Sequence, residues 1–259
     1  IMMNAYKTRY KAASLFAFKH LLFSILVAGL VAIIVFQIWF PYPFRELAGG
    51  KDLFWLIVSV DVVCGPLLSL VLYNPIKSKK ELFLDLSIVV LIQIAALIYG
   101  LYSLSNARPV AMVFEVDRFR AVVMADIQEP DWLEAKRLNI SIPFWGVQYF
   151  GIRQAKSSNE NLESIDLGFQ GIEPSMRPQL WTALANSKQA ILNKAKTVDV
   201  LKAKYPNSKP AIDQAIQDSQ LPPEQLVWLP LVSRRSTEWT VFVNKNTGFP
   251  VAYIALDGF

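Results

Sequence analysis

The 259-residue sequence contains one cysteine, Cys64, and one histidine, His20. A single thiol leaves no disulfide within the chain, so any folded part is held by its apolar core alone. A single imidazole, lying beside Lys19 at the mouth of an apolar run, excludes by count a histidine-containing metal site or a Ser-His-Asp triad beyond the membrane; His20 reads as an interfacial anchor. The sequence has no P-loop, no GxGxxG and no GxSxG. Its C-terminal carboxylates show no spacing that marks a glycosidase pair. Charge is also scarce, with Asp, Glu, Lys and Arg making up 18%. The formal net charge of +5 divides unevenly: up to Leu104, Lys and Arg outnumber Asp and Glu by 9 to 5, and afterwards by only 17 to 16. The basic excess therefore belongs to the N-terminal part, and no direct nucleic-acid contact is expected.

What the sequence has in abundance is apolar residues, 53% of the chain. They concentrate in three runs, Leu21 to Phe40, Leu53 to Leu72 and Leu82 to Leu104. A hydrocarbon core of ~30 Å needs about 20 helical residues at ~1.5 Å each, which every run supplies. The first run is about twice as long as a typical ~7–15 residue signal core, with no small-x-small site before Trp39, so it reads as a retained anchor. Ile1 before Met2-Met3 reads as an upstream start or a vector remnant. Lys7, Arg9, Lys11 and Lys19 in the tail, with Lys77, Lys79 and Lys80 between the second and third runs, face only Arg45 and Lys51 on the other side. This asymmetry predicts a cytoplasmic N-terminus in a bacterial inner membrane and a periplasmic remainder. Trp39, Phe40, Tyr42, Phe44, Phe54 and Trp55 are expected to form an aromatic belt at the outer interface.

An ionisable group in hydrocarbon must face protein or water. Asp61 falls about 12 Å below the outer edge, and Gln93 about 16 Å above the inner edge, so the two share a depth. They are expected to hydrogen-bond between helices. As a structural pin, a contact for a partner's transmembrane helix or a proton relay, the pair is the candidate intramembrane site. Asp85 lies ~4 Å inside the cytoplasmic edge, about 13 Å from the depth of Asp61, which rules out an aspartyl pair and leaves an interfacial charge. Gly65-Pro66 frees the Val62 carbonyl and permits a bend or close helix packing.

The domains expected are a basic tail over 1–20, a three-helix membrane region over 21–104 and an α+β periplasmic domain over 105–259. In the last, Val110 to Val116 and Phe119 to Ala125 predict a hairpin, Pro130 to Arg137 a short helix and Trp145 to Ile152 a strand. Pro174 to Lys204 predicts helix, with Ile191, Ala195, Val198 and Leu201 as one apolar stripe and the lysines around it solvated. Ala211 to Gln217 predicts another short helix. Leu226 to Val232, Thr237 to Val243 and Phe249 to Leu256 predict an antiparallel meander. Hairpin, helices and meander in segregated order argue α+β with an antiparallel sheet.

Nothing above supplies positive evidence for catalysis, and an interaction protein is favoured. A sensor or signalling subunit has the same layout, but its cytoplasmic parts are too short for an output domain. A membrane enzyme acting on lipid or glycan needs a polar cluster at the membrane face, for which Arg45-Glu46 is a poor candidate. The ordered motifs Trp39-Phe40-Pro41-x-Pro43, Gly49-Gly50, Val60-Asp61-Val62-Val63-x-Gly65-Pro66-Leu67, Asn74-Pro75-x-Lys77, Asp85, Leu91-x-Gln93, Tyr99-Gly100-Leu101, Ala107-Arg108-Pro109-Val110 and Phe114-Glu115-Val116-Asp117-Arg118-Phe119 resemble the TfpX/TfpZ-type type IV pilin accessory proteins. The likeness is dense over residues 39 to 120 and thins afterwards to Leu231, Trp239 and Thr247-Gly248-x-Pro250-Val251. It implies an inner-membrane protein with three spans and a periplasmic domain that helps a class of pilin to be assembled; with no catalytic motif in the residues, the expected mechanism is that of a non-enzymatic chaperone or assembly factor without a cofactor. The implied partners are a cognate type IV pilin, met through its transmembrane helix and globular head, together with membrane lipids and other pilus assembly proteins. It further implies support for twitching motility and, in competent bacteria, DNA uptake.

Overall fold

The computed structural model describes residues 2–259, with side chains from Arg9 onward. Ile1 and the Lys7 side chain, counted above, lie outside the described residues. The chain divides into two compact units. One runs up to Ile38 and adds Gly50–Asn106; the other joins Trp39–Gly49 to Ala107–Phe259.

In the first unit, α1 (Met2–Ile33) continues as π-helix to Trp39, and α3 (Gly50–Leu72) and α4 (Lys79–Ala107) follow; α2 (Phe44–Leu47), between α1 and α3, belongs to the second unit. Among the described residues three helices, Arg9–Trp39, Gly50–Leu72 and Lys79–Ala107, are long and apolar enough to cross a membrane. Helices in lipid associate by close packing and polar contacts, so small residues mark their seams. Ala13, Ala17 and Ser24 on α1 are buried, as are Gly65, Pro66 and Ser69 on α3. Along the same seam Phe16 stacks on Tyr73 at 4.7 Å, and Phe36 meets Phe54 edge-on at 4.8 Å. At Gly100, where α4 meets α3, a Cβ would stand 2.5 Å from Ile57, so only glycine allows the approach.

The second unit is a single sheet covered on both faces. Its elements are β1 (Pro109–Glu115), β2 (Arg118–Val123), α5 (Glu129–Arg137), β3 (Gln148–Ile152), α6 (Ser158–Phe169), β4 (Trp181–Ala183), α7 (Lys188–Lys194), β5 (Lys196–Thr197), α8 (Val198–Lys204), α9 (Lys209–Asp218), β6 (Leu226–Val232), β7 (Trp239–Asn244) and β8 (Pro250–Ile254). The strand order is β4-β3-β1-β2-β6-β7-β8, with β5 also on β6. Side chains alternate between faces with period 2. Met112, Phe114, Phe119, Ala121, Val227, Leu229 and Leu231 point into one core with Ile191 of α7. Val110, Ala111, Val113 and Val122 pack with Ile127 and Trp181, while Leu226 and Trp228 pack with Val198, Leu201, Ile212 and Ile216 of α8 and α9. Cover on both faces explains why β1 and β6 are buried at every residue.

The expected hairpin and meander form, but the sheet is mixed rather than antiparallel: β1 pairs β3 in parallel and β2 pairs β6 in parallel. The segregated order of elements carries no sign of these crossovers. Strand β3 starts at Gln148, which leaves Trp145 in the preceding loop. The helix expected over Pro174 to Lys204 is broken twice. Pro174 and Pro178 open single 3₁₀ turns and Trp181 then pairs with Ile152. Lys196 and Thr197 pair with Trp228 and Val227, and the Trp228 indole N–H donates to the Thr197 carbonyl at 2.8 Å. The apolar stripe is therefore split between the two faces of the sheet, Ile191 on one and Val198 with Leu201 on the other. Helix α6, unforeseen, is capped by Ser157, whose Oγ accepts from the Glu160 amide at 3.2 Å.

Candidate functional site: an intramembrane groove and an inserted segment

The groove within the first unit has a volume of about 570 Å³ and is lined by α1, α3 and α4, with Lys19, His20, Ser24, Asp61 and Gln93 as its polar residues among apolar ones. Gln93 Nε2 donates to the backbone carbonyl of Asp61 at 3.3 Å, not to its carboxyl. Gly65 makes this possible, since a Cβ there would lie 2.1 Å from Gln93 Nε2. The Asp61 carboxyl has no hydrogen-bond or ion-pair partner among the described residues and lines the groove. Pro66 does not interrupt α3; it is buried beside Gly65. His20, expected as an interfacial anchor, places Nδ1 2.6 Å from Ser69 Oγ and so ties α1 to α3. No sequence pattern signalled that pairing, because Ser69 carries no periodic or spacing cue of its own. Asp85 forms an ion pair with Lys77 at the start of α4.

The second feature is the segment from Trp39 to Gly49, which belongs to the sheet unit rather than to the helices around it in sequence. Phe40, Phe44 and Leu47 are buried, and Phe44 and Leu47 of α2 join the core with Met112, Leu229 and Trp239. This corrects the aromatic belt: Trp39, Phe40 and Phe44 are buried, Phe54 is packed against Phe36, and Tyr42 and Trp55 stay exposed. Pro41 and Pro43 shape the entry, with the Tyr42–Pro43 peptide cis and the Pro41 carbonyl accepting from the Phe44 amide at 2.8 Å. Ser233 Oγ donates to the Leu47 carbonyl at 2.7 Å. Gly49, at φ +76°, lies where a Cβ would strike Arg235, so its left-handed turn and its lack of a side chain are both used.

Arg108 is buried, donates from Nη2 to the Pro143 carbonyl at 3.3 Å and lies 5.1 Å from the Phe144 ring; burial pulls its guanidinium below the usual range. Pro109 opens β1, where a missing N–H is tolerated. Asp117 and Arg118 pair at 2.7 Å at the hairpin turn, and Arg118 covers the Phe259 ring. Beneath the hairpin, Glu115 accepts from Arg120 Nε at 3.3 Å and from the Ser175 amide at 3.0 Å, and Glu173 also pairs with Arg120. Burial, then the neighbouring Glu115, pushes Glu173 up to about 7. Burial would also raise Glu115, but hydrogen bonds from Glu173 and Ser175 and the Arg120 charge leave it below its ordinary value. The groups that could hold a metal do not gather: no cluster of three or more His, Cys, Asp or Glu occurs among the described residues.

Taken with the fold, these sites define a three-helix membrane anchor carrying a mixed-sheet domain that is closed by a piece of the anchor's own connection. The profile described as Fimbrial assembly protein FimB matches residues 6–49, which covers most of α1 and the whole inserted segment. Two fimbrial assembly proteins of Dichelobacter nodosus, of serogroups I and E1, are 37% and 36% identical over 255 residues, and each alignment covers 98% of both chains. A third from the same organism, of serogroups C1 and C2, is 44% identical over 121 residues, 47% of this chain and 92% of that one. The chain belongs to the fimbrial assembly protein family. No solved structure matches it.

Proposed function

We propose that this protein is an inner-membrane accessory factor that receives a type IV pilin before or during its assembly, acting by binding rather than by catalysis. The observation that carries the reading is the groove between the helices, with the Asp61 carboxyl unengaged in an apolar wall. A polar group in hydrocarbon gains most from a partner that satisfies it. A pilin transmembrane helix bearing a polar or charged group is such a partner. Family membership along almost the whole chain supports a place in fimbrial assembly, and the likeness to TfpX/TfpZ-type proteins supports pilins as clients, with twitching motility and DNA uptake as downstream processes. The lysine and arginine asymmetry supports a cytoplasmic N-terminus and a periplasmic sheet domain.

The sheet limits where a pilin head can add a strand. Both hairpin strands have a neighbour on either side, β6 pairing β2 at Phe119 and Arg120, whereas β8, β4 and the two-residue β5 each have a single neighbour. Contact by strand addition falls to β8, at the end of the meander. Site-directed photocrosslinkers at positions 61 and 93 and along β8 should yield pilin adducts in cells, and the detergent-extracted protein should copurify with its cognate pilin over one of another class. Absence of adducts at every position, with both proteins expressed, would overturn the reading.

A further inference from the structure

Trp39 ends the first membrane-crossing helix in sequence, and Arg108 immediately follows the third. Both residues belong to the sheet unit, and within it both touch one loop. Phe144 lies edge-on to Trp39 with ring centroids 6.5 Å apart and beneath the Arg108 guanidinium, while Arg108 also holds the Pro143 carbonyl. Trp145 stands at 88° to Phe144 at 4.7 Å, and Gly146 turns the chain back with φ +68°. Chain connectivity alone thus ties this loop to the two points where the polypeptide leaves apolar helix. At that position Phe144 is 53% and Trp145 61% exposed. Two adjacent large aromatics exposed to water lose the gain of burial that each ring can make. The boundary between headgroups and acyl chains suits such side chains, above all tryptophan, which offers an apolar body and one N–H.

We propose that the Pro143–Gly146 loop is a lipid anchor, with Phe144 and Trp145 entering the interfacial layer of the leaflet at which the first and third helices end. The occupant is phospholipid, because the loop continues an interface that the helix ends Trp39 and Ala107 already define. Arg108 and Trp39 hold the loop from behind, so the aromatics present a preformed edge to the bilayer. The inference rests on the three helices being membrane spans and is independent of the pilin reading.

The test uses the full chain in phospholipid nanodiscs, with Cys64→Ser as background and an environment-sensitive fluorophore on Trp145→Cys or, as a control on the exposed face of α9, on Gln217→Cys. A headgroup-attached nitroxide lipid should quench the probe at 145 several-fold more strongly than at 217, with a blue-shifted emission at 145 only. Equal quenching at both positions would overturn the proposal. So would shielding at 145 that appears only after pilin is added, which would make the loop a protein contact.

Discussion

Ser233 donates to the carbonyl of Leu47 at 2.7 Å across 186 residues of chain. The bond fastens a short connection between two membrane helices to the β6–β7 loop, and the fully buried Leu47 side chain completes the fastening in the core.

Leu47→Ala should therefore destabilise a domain to which it is remote in sequence, by about 2–5 kcal/mol, the usual range for removing a large buried aliphatic side chain. Ser233→Ala should cost about 1 kcal/mol, the net value of one hydrogen bond. Thermal unfolding of the sheet domain in detergent, followed by near-ultraviolet circular dichroism, measures both. A surface-like effect for Leu47→Ala would show that the segment is not core.

Within the helices, Gly65→Ala should break the Gln93 contact to the Asp61 carbonyl, because the added Cβ would fall on Gln93 Nε2. An interhelical hydrogen bond in lipid is worth about 0.6–2 kcal/mol. In a Gln93→Ala background the three atoms nearest that Cβ are removed, and the same substitution should cost much less. Unfolding of the four variants as a double-mutant cycle reads the coupling; an equal cost of Gly65→Ala in both backgrounds would refute it.

Stability should fall as pH rises from 4.5 towards 7 through Glu173. Its carboxyl titrates at about 7 in the folded protein against an ordinary 4.5, so over that window the folded state holds a proton the unfolded state has released. Glu115 has the opposite sign: its lowered value contributes stability above the ordinary glutamate range, lost as pH falls below it. Glu173→Gln keeps a hydrogen-bond donor for Glu115 and removes the charge. The variant should flatten the decline in melting temperature between pH 5 and about 7 seen in the parent chain.

Arg177, 6% exposed, binds Asp131 of α5 at 3.3 Å and Glu163 of α6 at 2.9 Å. Arg177→Met should release both helices from the Pro174–Leu180 turns, at about 1.5–3 kcal/mol, the scale of a charged hydrogen bond. Hydrogen exchange should accelerate in Glu129–Arg137 and Ser158–Phe169 while the central strands stay protected.

Elements dominated by local pattern were readable in advance. The three spans follow from uninterrupted apolar length, and hairpin and meander from alternating runs between turn residues. What the pattern misplaced depends on neighbours distant in sequence. Ala195 to Thr197 continues a helical period, but Trp228 recruits its backbone into the sheet. Phe40 and Phe44 have the composition of an interfacial belt, and only the assembled sheet gives Phe44 an interior. At the candidate site, depth arithmetic brought Asp61 and Gln93 to the same level, but the choice of carbonyl over carboxyl depends on the missing Cβ of Gly65. Glu115 and Arg120 meet across the expected hairpin, but Glu173 lies far off in sequence and reaches them only through the fold.

The sheet domain is assembled from two stretches of chain separated by two membrane helices, and that has a consequence for biosynthesis. Residues 39–49 emerge from the ribosome well before β1 and must wait, with Phe44 and Leu47 uncovered, until α3 and α4 are inserted and the last strands have been made. Closure of the domain thus waits on a segment made two long helices earlier, and a fragment beginning at residue 107 would carry an empty seat in its core.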